Sequence, residues 1–404
     1  MKKFYIFLFS VSIGISLSAQ DSWVQKDSIN GANKTVCAAF TAIGKGWVVT
    51  GLDNTGFIRK MYSYKVLQDN WDNEQSMGGV NGGGLSRGSA CAFSAFNKGY
   101  VCTGQGDNTD FLKDNWEYDP SLDVWTQKAD FPGSARRGAV AFVIDGIAYV
   151  GTGEDASGLR KDFFKYDPVN NIWGYVSDFA GTPRKQAVGL SMGAQGYVGT
   201  GYDGIMRNDF WQYLVFQNMW VQKTNFPGSP RAGATGWGIF PNAYIATGED
   251  NNFNYKNDVW EYDYFTDQWI QRTSLPASGR KNAISFVING VAYLGTGYNG
   301  NMLGDFFAYS GIVGVEESLS NVEISLSPNP VSERFTLSFG TTVGNFSFLR
   351  IVAMDGRDVT SMFAMGKREN AFDVTIRNCP SGNYCCVVYG EMGNVIATRK
   401  FILQ

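Results

Sequence analysis

The sequence of 404 residues contains no histidine. That absence removes the side chain that most often acts as general base or metal ligand near neutral pH. No Ser-His-Asp or Cys-His set can be assembled, and a copper-radical oxidase centre lacks its imidazole ligands. Charge is also scarce. Asp, Glu, Lys and Arg make up 18% of the chain and the formal net charge is −3, so nothing favours a nucleic-acid partner. The six cysteines, Cys37, Cys91, Cys102, Cys379, Cys385 and Cys386, show no metal-ligand spacing. A long apolar run occurs at the start of the chain alone, from Phe4 to about Leu17.

What is abundant is glycine, with 49 residues, and aromatic side chains, at 15%. Both suit many short strands joined by tight turns. From Arg136 to Trp173 the chain reads as one four-stranded unit. Two β-rich runs, AVAFVI and IAYVGT, flank Asp145-Gly146, the dipeptide of a type I′ hairpin turn. DFFKYDP gives a third strand and NIWGYV a fourth. A lone sheet of this kind has two apolar faces and cannot bury either, so the unit predicts repetition. It is repeated. A Thr-Gly pair ends the second strand at Thr50, Thr103, Thr152, Thr200, Thr247 and Thr296, at intervals of 53, 49, 48, 47 and 49 residues. Three residues before each threonine stands an aromatic residue (Trp47, Tyr100, Tyr149, Tyr197, Tyr244, Tyr293) and ten before it a large apolar one. Each third strand holds a tyrosine, and five fourth strands hold a tryptophan: Trp71, Trp125, Trp173, Trp220 and Trp269.

A period near 50 with four strands, a glycine and a Tyr/Trp pair resembles the kelch repeat of β-propellers, with Thr-Gly here in place of the usual double glycine. The resemblance implies a propeller disc. It leaves the chemistry open, because kelch propellers serve as protein-binding modules, as sugar-binding or sugar-modifying domains and as oxidases.

In chain order, residues 1–20 carry two lysines, the apolar run and small residues before Ala19-Gln20, and predict a secretory signal peptide. No cysteine near that point calls for a lipid anchor. Residues 21–310 are the expected propeller. Trp23 lies in an orphan fourth strand, SWVQKDS, while the last unit, Arg280 to Tyr309, lacks its own. The two fragments complete each other and predict six blades, closed by pairing of the Trp23 strand beside 305–309. Residues 311–320 read as a linker. Over 321–404 the pattern changes to alternating strands with Gly and Asn turns, which predicts a small Ig-like β-sandwich. The fold class expected is thus all-β. Ser327-Pro328-Asn329-Pro330, the Asp355-Gly356-Arg357 turn, Pro380-Ser381-Gly382-Asn383-Tyr384 and a terminal basic-apolar strand give this tail a resemblance to a type IX secretion C-terminal sorting domain, type A. The resemblance implies export across the outer membrane by the type IX machinery, removal of the tail, and release or attachment at the cell surface. The Cys385-Cys386 pair departs from the apolar residues usual there.

Cys91 and Cys102 fall opposite each other across a hairpin, at a hydrogen-bonded position that suits a disulfide less well than the alternate one. Cys37 occupies a column otherwise filled by alanine and reads as a small core residue. In an up-and-down blade the long segments, such as TGEDASGLRKD and DFPGSARRG, share one face of the disc. Sixteen residues before each threonine stands a cation: Lys34, Arg87, Arg136, Arg184, Arg231 and Arg280. Three after it stand Asp53, Asp155, Asp203, Asp250 and Asn299. Asp114, Asp162, Asp209, Asp258 and Asp305 open the third strands. These columns admit two readings. Each cation ties loops down by pairing with a carboxylate, or the six ring the channel mouth and attract an anion such as a carboxylated sugar. A calcium site at Glu249-Asp250-Asn251-Asn252 lacks the bidentate carboxylate and spacing.

The expected function is a secreted or surface propeller that binds a glycan or protein ligand through the long-loop face. Its ligand contacts are taken to be Lys34, the five arginines, Asp53, Asp155, Asp203 and Asp250. No cofactor, metal or catalytic residue is assigned. The alternative is a carbohydrate-active enzyme of the kelch mutarotase, sialic-acid epimerase-like type, and a third reading is a purely structural surface protein.

Overall fold

The computed structural model describes residues 21–31, 33–79, 83–107, 110–310, 324–339, 346–353, 359–368, 370–390 and 395–404. The expected signal peptide, the linker at 311–320 and the Asp355-Gly356-Arg357 turn lie outside the described residues. The described chain is almost entirely strand and turn.

Between Asp21 and Ser310 the strands form six four-stranded antiparallel sheets. The third is representative. Val140–Ile144, Ile147–Gly151, Phe163–Asp167 and Ile172–Val176 pair in that order. Its first hairpin turns at Asp145 and Gly146, whose φ values of 50° and 79° are the left-handed pair that this turn requires. The sixth sheet is assembled from both ends of the region. Ser22–Lys26 pairs with Phe306–Ser310, with Trp23 opposite Tyr309, so that sheet too has four strands. The first strands of all six sheets line one central cavity of about 200 Å3, walled by small residues such as Ala39, Ala90, Ala141, Ala187, Ala234 and Ala283.

Sheets are joined by aromatic packing. Phe142 of the third sheet stacks on Tyr149 at 5.2 Å and meets Tyr213 and Trp220 of the fourth at 6.2 and 5.9 Å. Phe40 does the same with Trp47, Tyr118 and Trp125. Such contacts contribute about 0.5–1.5 kcal/mol each beyond area burial. A second belt is polar. Each outer tryptophan donates its indole N–H to a carbonyl of the preceding sheet: Trp71 to Asp27, Trp125 to Gln75, Trp173 to Ala129, Trp220 to Ser177, Trp269 to Thr224 and Trp23 to Thr273, at 2.9–3.3 Å. The Ser22–Lys26 strand serves this belt twice, since Trp23 donates backward and Asp27, just after it, accepts from Trp71.

The threonines of the Thr-Gly pairs all adopt φ between 59° and 64°. For a β-branched residue that is an uncommon, strained backbone. The following glycine is required: at Gly201, with φ 98°, a Cβ would lie 2.9 Å from that of Ala187.

The C-terminal residues build two further sheets. One contains Ile324–Ser327, Arg334–Phe339, Ala371–Ile376 and Phe363–Arg368; the other, Phe346–Ala353, Gly382–Gly390 and Val395–Leu403. Phe335, Leu337, Ile351, Val374, Cys386 and Phe401 share the core between them. The adjacent Cys385 points the other way, as strand alternation demands. With Val352 and Val387 it is buried against the fourth and fifth sheets, in a cluster containing Met192, Phe240 and Ala243 with Tyr264 and Phe265 packed at its side. Both thiols of the pair are therefore buried, one on each face.

Candidate functional site

The five arginines of the cation column are 0–1% exposed. Each guanidinium forms a bidentate pair with the aspartate that opens the third strand of its own sheet: Arg87 with Asp114, Arg136 with Asp162, Arg184 with Asp209, Arg231 with Asp258 and Arg280 with Asp305, at 2.5–2.8 Å. Nη1 also donates to the carbonyl of the Thr-Gly threonine sixteen residues on, at 2.8–3.1 Å. Nε donates to the carbonyl two residues back, at 3.0–3.2 Å. One side chain thus ties the incoming loop to the end of strand two and the start of strand three, and holds the threonine in its left-handed backbone. Burial raises the Asp114 and Asp258 carboxyls, but their arginines and the indole N–H of Trp116 and Trp260 outweigh it and hold both below the usual carboxylate range. Phe131, Phe179 and Phe226 lie under Arg136, Arg184 and Arg231 at 4.8–4.9 Å.

The expected anion-binding ring is thereby corrected. Arg87, Arg136, Arg184, Arg231 and Arg280 present no free charge, because every guanidinium donor set is directed inward. Lys34 is buried too. Its Nζ donates to the Asn30 carbonyl at 3.2 Å and lies over the Tyr62 ring, and burial lowers its pKa. The acidic column is equally committed. Asp155 accepts from Ser134 Oγ, the Ser157 N–H and Arg160; Asp203 from Thr182 Oγ1 and Arg207; Asp250 from Lys256 and the N–H groups of Asn252 and Asn254; Asp53 from Thr55. Asp250 is therefore a loop clasp, and among the described residues no group of three acidic or cysteine side chains is placed to hold a metal. Cys91 and Cys102 are register partners, as their spacing predicts, and are free thiols.

The residues left to face a ligand are the next ones along. Immediately after the cation column come Arg137, Lys185 and Lys281, 19–35% exposed. Two after it come Val36, Ser89, Gly138, Gln186, Gly233 and Asn282, all with φ of 49–62°. The backbone N–H groups of Ser89, Gly138, Gln186, Gly233 and Asn282 each donate to the carbonyl of the previous member, at 2.7–3.0 Å, so these residues run in one bonded series from Val36 to Asn282 beside the first strands that line the central cavity. Across Gly233, Gln186 Nε2 reaches Asn282 Oδ1 at 3.4 Å. Arg137 and Lys185 both bond Glu154 at 2.8 Å, and Lys281 bonds Glu249 at 2.8 Å. Burial raises the Glu154 carboxyl, but those two cations prevail and lower it. In the repeat these two columns are heterogeneous: Thr35, Gly88 and Ala232 interrupt the cations, while Leu52, Gln105, Tyr202 and Tyr298 replace the glutamates. That irregularity is the signal in the sequence that regular-column reasoning passed over.

Beside this series, between loops 202–206 and 249–253 of the fourth and fifth sheets, lies a cavity of about 580 Å3. Lys185, Gln186, Tyr202, Glu249 and Asn251 supply its polar lining; Ile205, Met206 and Phe253 supply the apolar part. Asn251 Oδ1 accepts from the Met206 N–H at 2.8 Å and joins the two loops.

Comparison with known proteins adds two findings. The family model of a secretion system C-terminal sorting domain matches residues 325–404. The tail thus marks the chain for export by the type IX system, with the secretion machinery as its partner and a secreted or cell-surface location. No curated protein matches. Among solved structures, the chain titled "Structure of YjhT" is similar with 16% identity and a TM-score of 0.57, over 70% of this chain and 96% of that one. At that identity the likeness speaks to fold alone: all-β and propeller-like.

Proposed function

We propose that residues 21–310 form a six-bladed kelch propeller, carried behind a signal peptide and ahead of an Ig-like sorting sandwich, which binds a glycan or protein ligand through its long-loop face. The observation that supports this reading is the break in the repeat there. The arginine clasps that hold the frame recur unchanged in five of the six sheets. In the bonded series and in the cavity between the fourth and fifth sheets the side chains differ from sheet to sheet, while their neighbours are locked in place. A rigid frame with variable, mixed apolar and polar lining is the usual form of a small-ligand site.

The rival reading, a sugar mutarotase working from the channel mouth, has weaker support. Glu154 is the acid best placed for proton transfer, yet Arg137 and Lys185 hold it as a carboxylate, away from the near-neutral pKa that general acid–base work favours. The full exported chain, tested on glycan arrays and in parallel for sugar turnover, is expected to retain a ligand without converting it. Turnover of a retained sugar would establish the enzyme instead.

A further inference from the structure

We infer that the cavity between loops 202–206 and 249–253 is a subsite for a neutral pyranose ring. The inference rests on the long-loop face being the ligand-binding face, and narrows it to one place and one ligand class.

Charge decides first. Each cation around the cavity has a carboxylate partner: Lys185 with Glu154, Lys281 with Glu249, Arg207 with Asp203 and Lys256 with Asp250, at 2.6–2.8 Å. With the arginine ring buried, every cation bordering the cavity is already committed to a carboxylate, Lys185 sharing Glu154 with Arg137. A carboxylated sugar would have to break one of these pairs to gain a contact; a neutral one would not.

Shape and polarity decide next. Phe253 is 76% exposed and Ile205 55%, so two large apolar side chains border the same hollow uncovered. Phe253 also sits at φ 61°, six residues past its threonine, where the first and third sheets have Gly56 and Gly158 in left-handed backbone. The turn, closed by the Phe253 N–H to the Asp250 carbonyl at 2.8 Å, sets the left-handed backbone, but neither it nor packing requires a bulky exposed side chain there. Lining the same hollow are groups with bonding capacity to spare: Glu249 Oε1, the Gln186 carboxamide, whose one contact is long, and the Asn251 Nδ2, which has no protein partner among the described residues. A pyranose has an apolar C–H face to lay on a ring and an equatorial fringe of hydroxyls that both donate and accept. An exposed ring bordering a hollow that also holds one carboxylate acceptor and two amides complements both features. The volume is within the range of small-molecule sites, about 300–1,000 Å3.

The test uses the full exported chain and a panel of neutral methyl hexopyranosides beside the matching methyl uronides, titrated at low and high salt. At least one neutral hexoside is expected to bind with an affinity little changed by salt. Phe253→Ala is expected to weaken it tenfold or more with the melting temperature unchanged, and Phe253→Trp to preserve it. Gln186→Ala, in the lining of the same hollow, is expected to weaken it several-fold. Binding of uronides alone, lost at high salt, would overturn the inference. So would neutral-sugar binding that survives both Phe253→Ala and Gln186→Ala; in that case the long-loop face stands and this cavity does not. Retention of a protein but of no sugar would likewise remove the subsite and leave the broader reading, whereas retention of nothing removes both.

Discussion

Arg184 shows how a residue that looks like a ligand contact becomes part of the frame. Its sixteen-residue spacing to Thr200 is itself a hydrogen bond, Nη1 to the Thr200 carbonyl at 2.8 Å, and Asp209 takes the rest of the guanidinium. Replacing Arg184 with Gln strands Asp209 and is expected to cost about 3–5 kcal/mol, read as a thermal or denaturant melt. Replacing both members with apolar residues of similar size is expected to cost much less. A melt unchanged by Arg184→Gln would return the arginines to the surface role. The acidic column gives a pH signature. At Asp155 burial alone raises the carboxyl, but Arg160, Ser134 and the Ser157 N–H bring it down to about 2. A carboxyl depressed in the folded state stabilises fully above its unfolded value near 4, and that contribution is lost as pH falls from there toward 2. Asp155→Asn is therefore expected to lower stability at pH 7 and to flatten its decline between pH 4 and 2. An unaltered acid profile would show that the clasp is not made.

At the scale of elements, the strand order followed from recurring Thr-Gly, Tyr and Trp because each of these has one job in every sheet: a left-handed corner, a stacked ring, an indole donor to the neighbour. The Trp23 strand was legible for the same reason. What it binds could be counted in columns, and Trp23 meets Tyr309 where Trp71 meets Tyr64. Removing residues 21–27 takes away Trp23, its Thr273 bond and the Asp27 carbonyl used by Trp71, and leaves the strand Phe306–Ser310 as an open edge. The shortened chain is expected to melt less cooperatively or to aggregate, followed by calorimetry and light scattering. An unchanged melt would contradict a ring closed by this strand. The candidate site was less legible. Arginine and aspartate columns were visible, but their pairing depends on which loop ends abut, and residues 25–27 apart in sequence give no hint of that. The cavity arises where two neighbouring loops meet, and the repeat columns that reach it carry different residues in each sheet, so no constant residue marks it.

At the scale of the whole molecule, the tail is docked as well as appended. Val352, Cys385 and Val387 cover Phe240, Tyr264 and Phe265 on the edge of the fourth and fifth sheets, which accounts for a Cys-Cys pair that sequence alone left as an anomaly. The docked tail and the proposed ligand-binding face are thereby separate surfaces. The tail rests on residues of the short turns, Phe240 and Tyr264-Phe265, while the bonded series and the cavity occupy the long-loop face. Whether this second face carries the function is decided by glycan and protein arrays probed with the exported chain and with a Lys185→Ala/Gln186→Ala/Phe253→Ala variant, melts being recorded for both. The wild-type array signals are expected to disappear in a variant that melts within a few degrees of the parent. Signals retained by that variant would place ligand recognition elsewhere on the molecule.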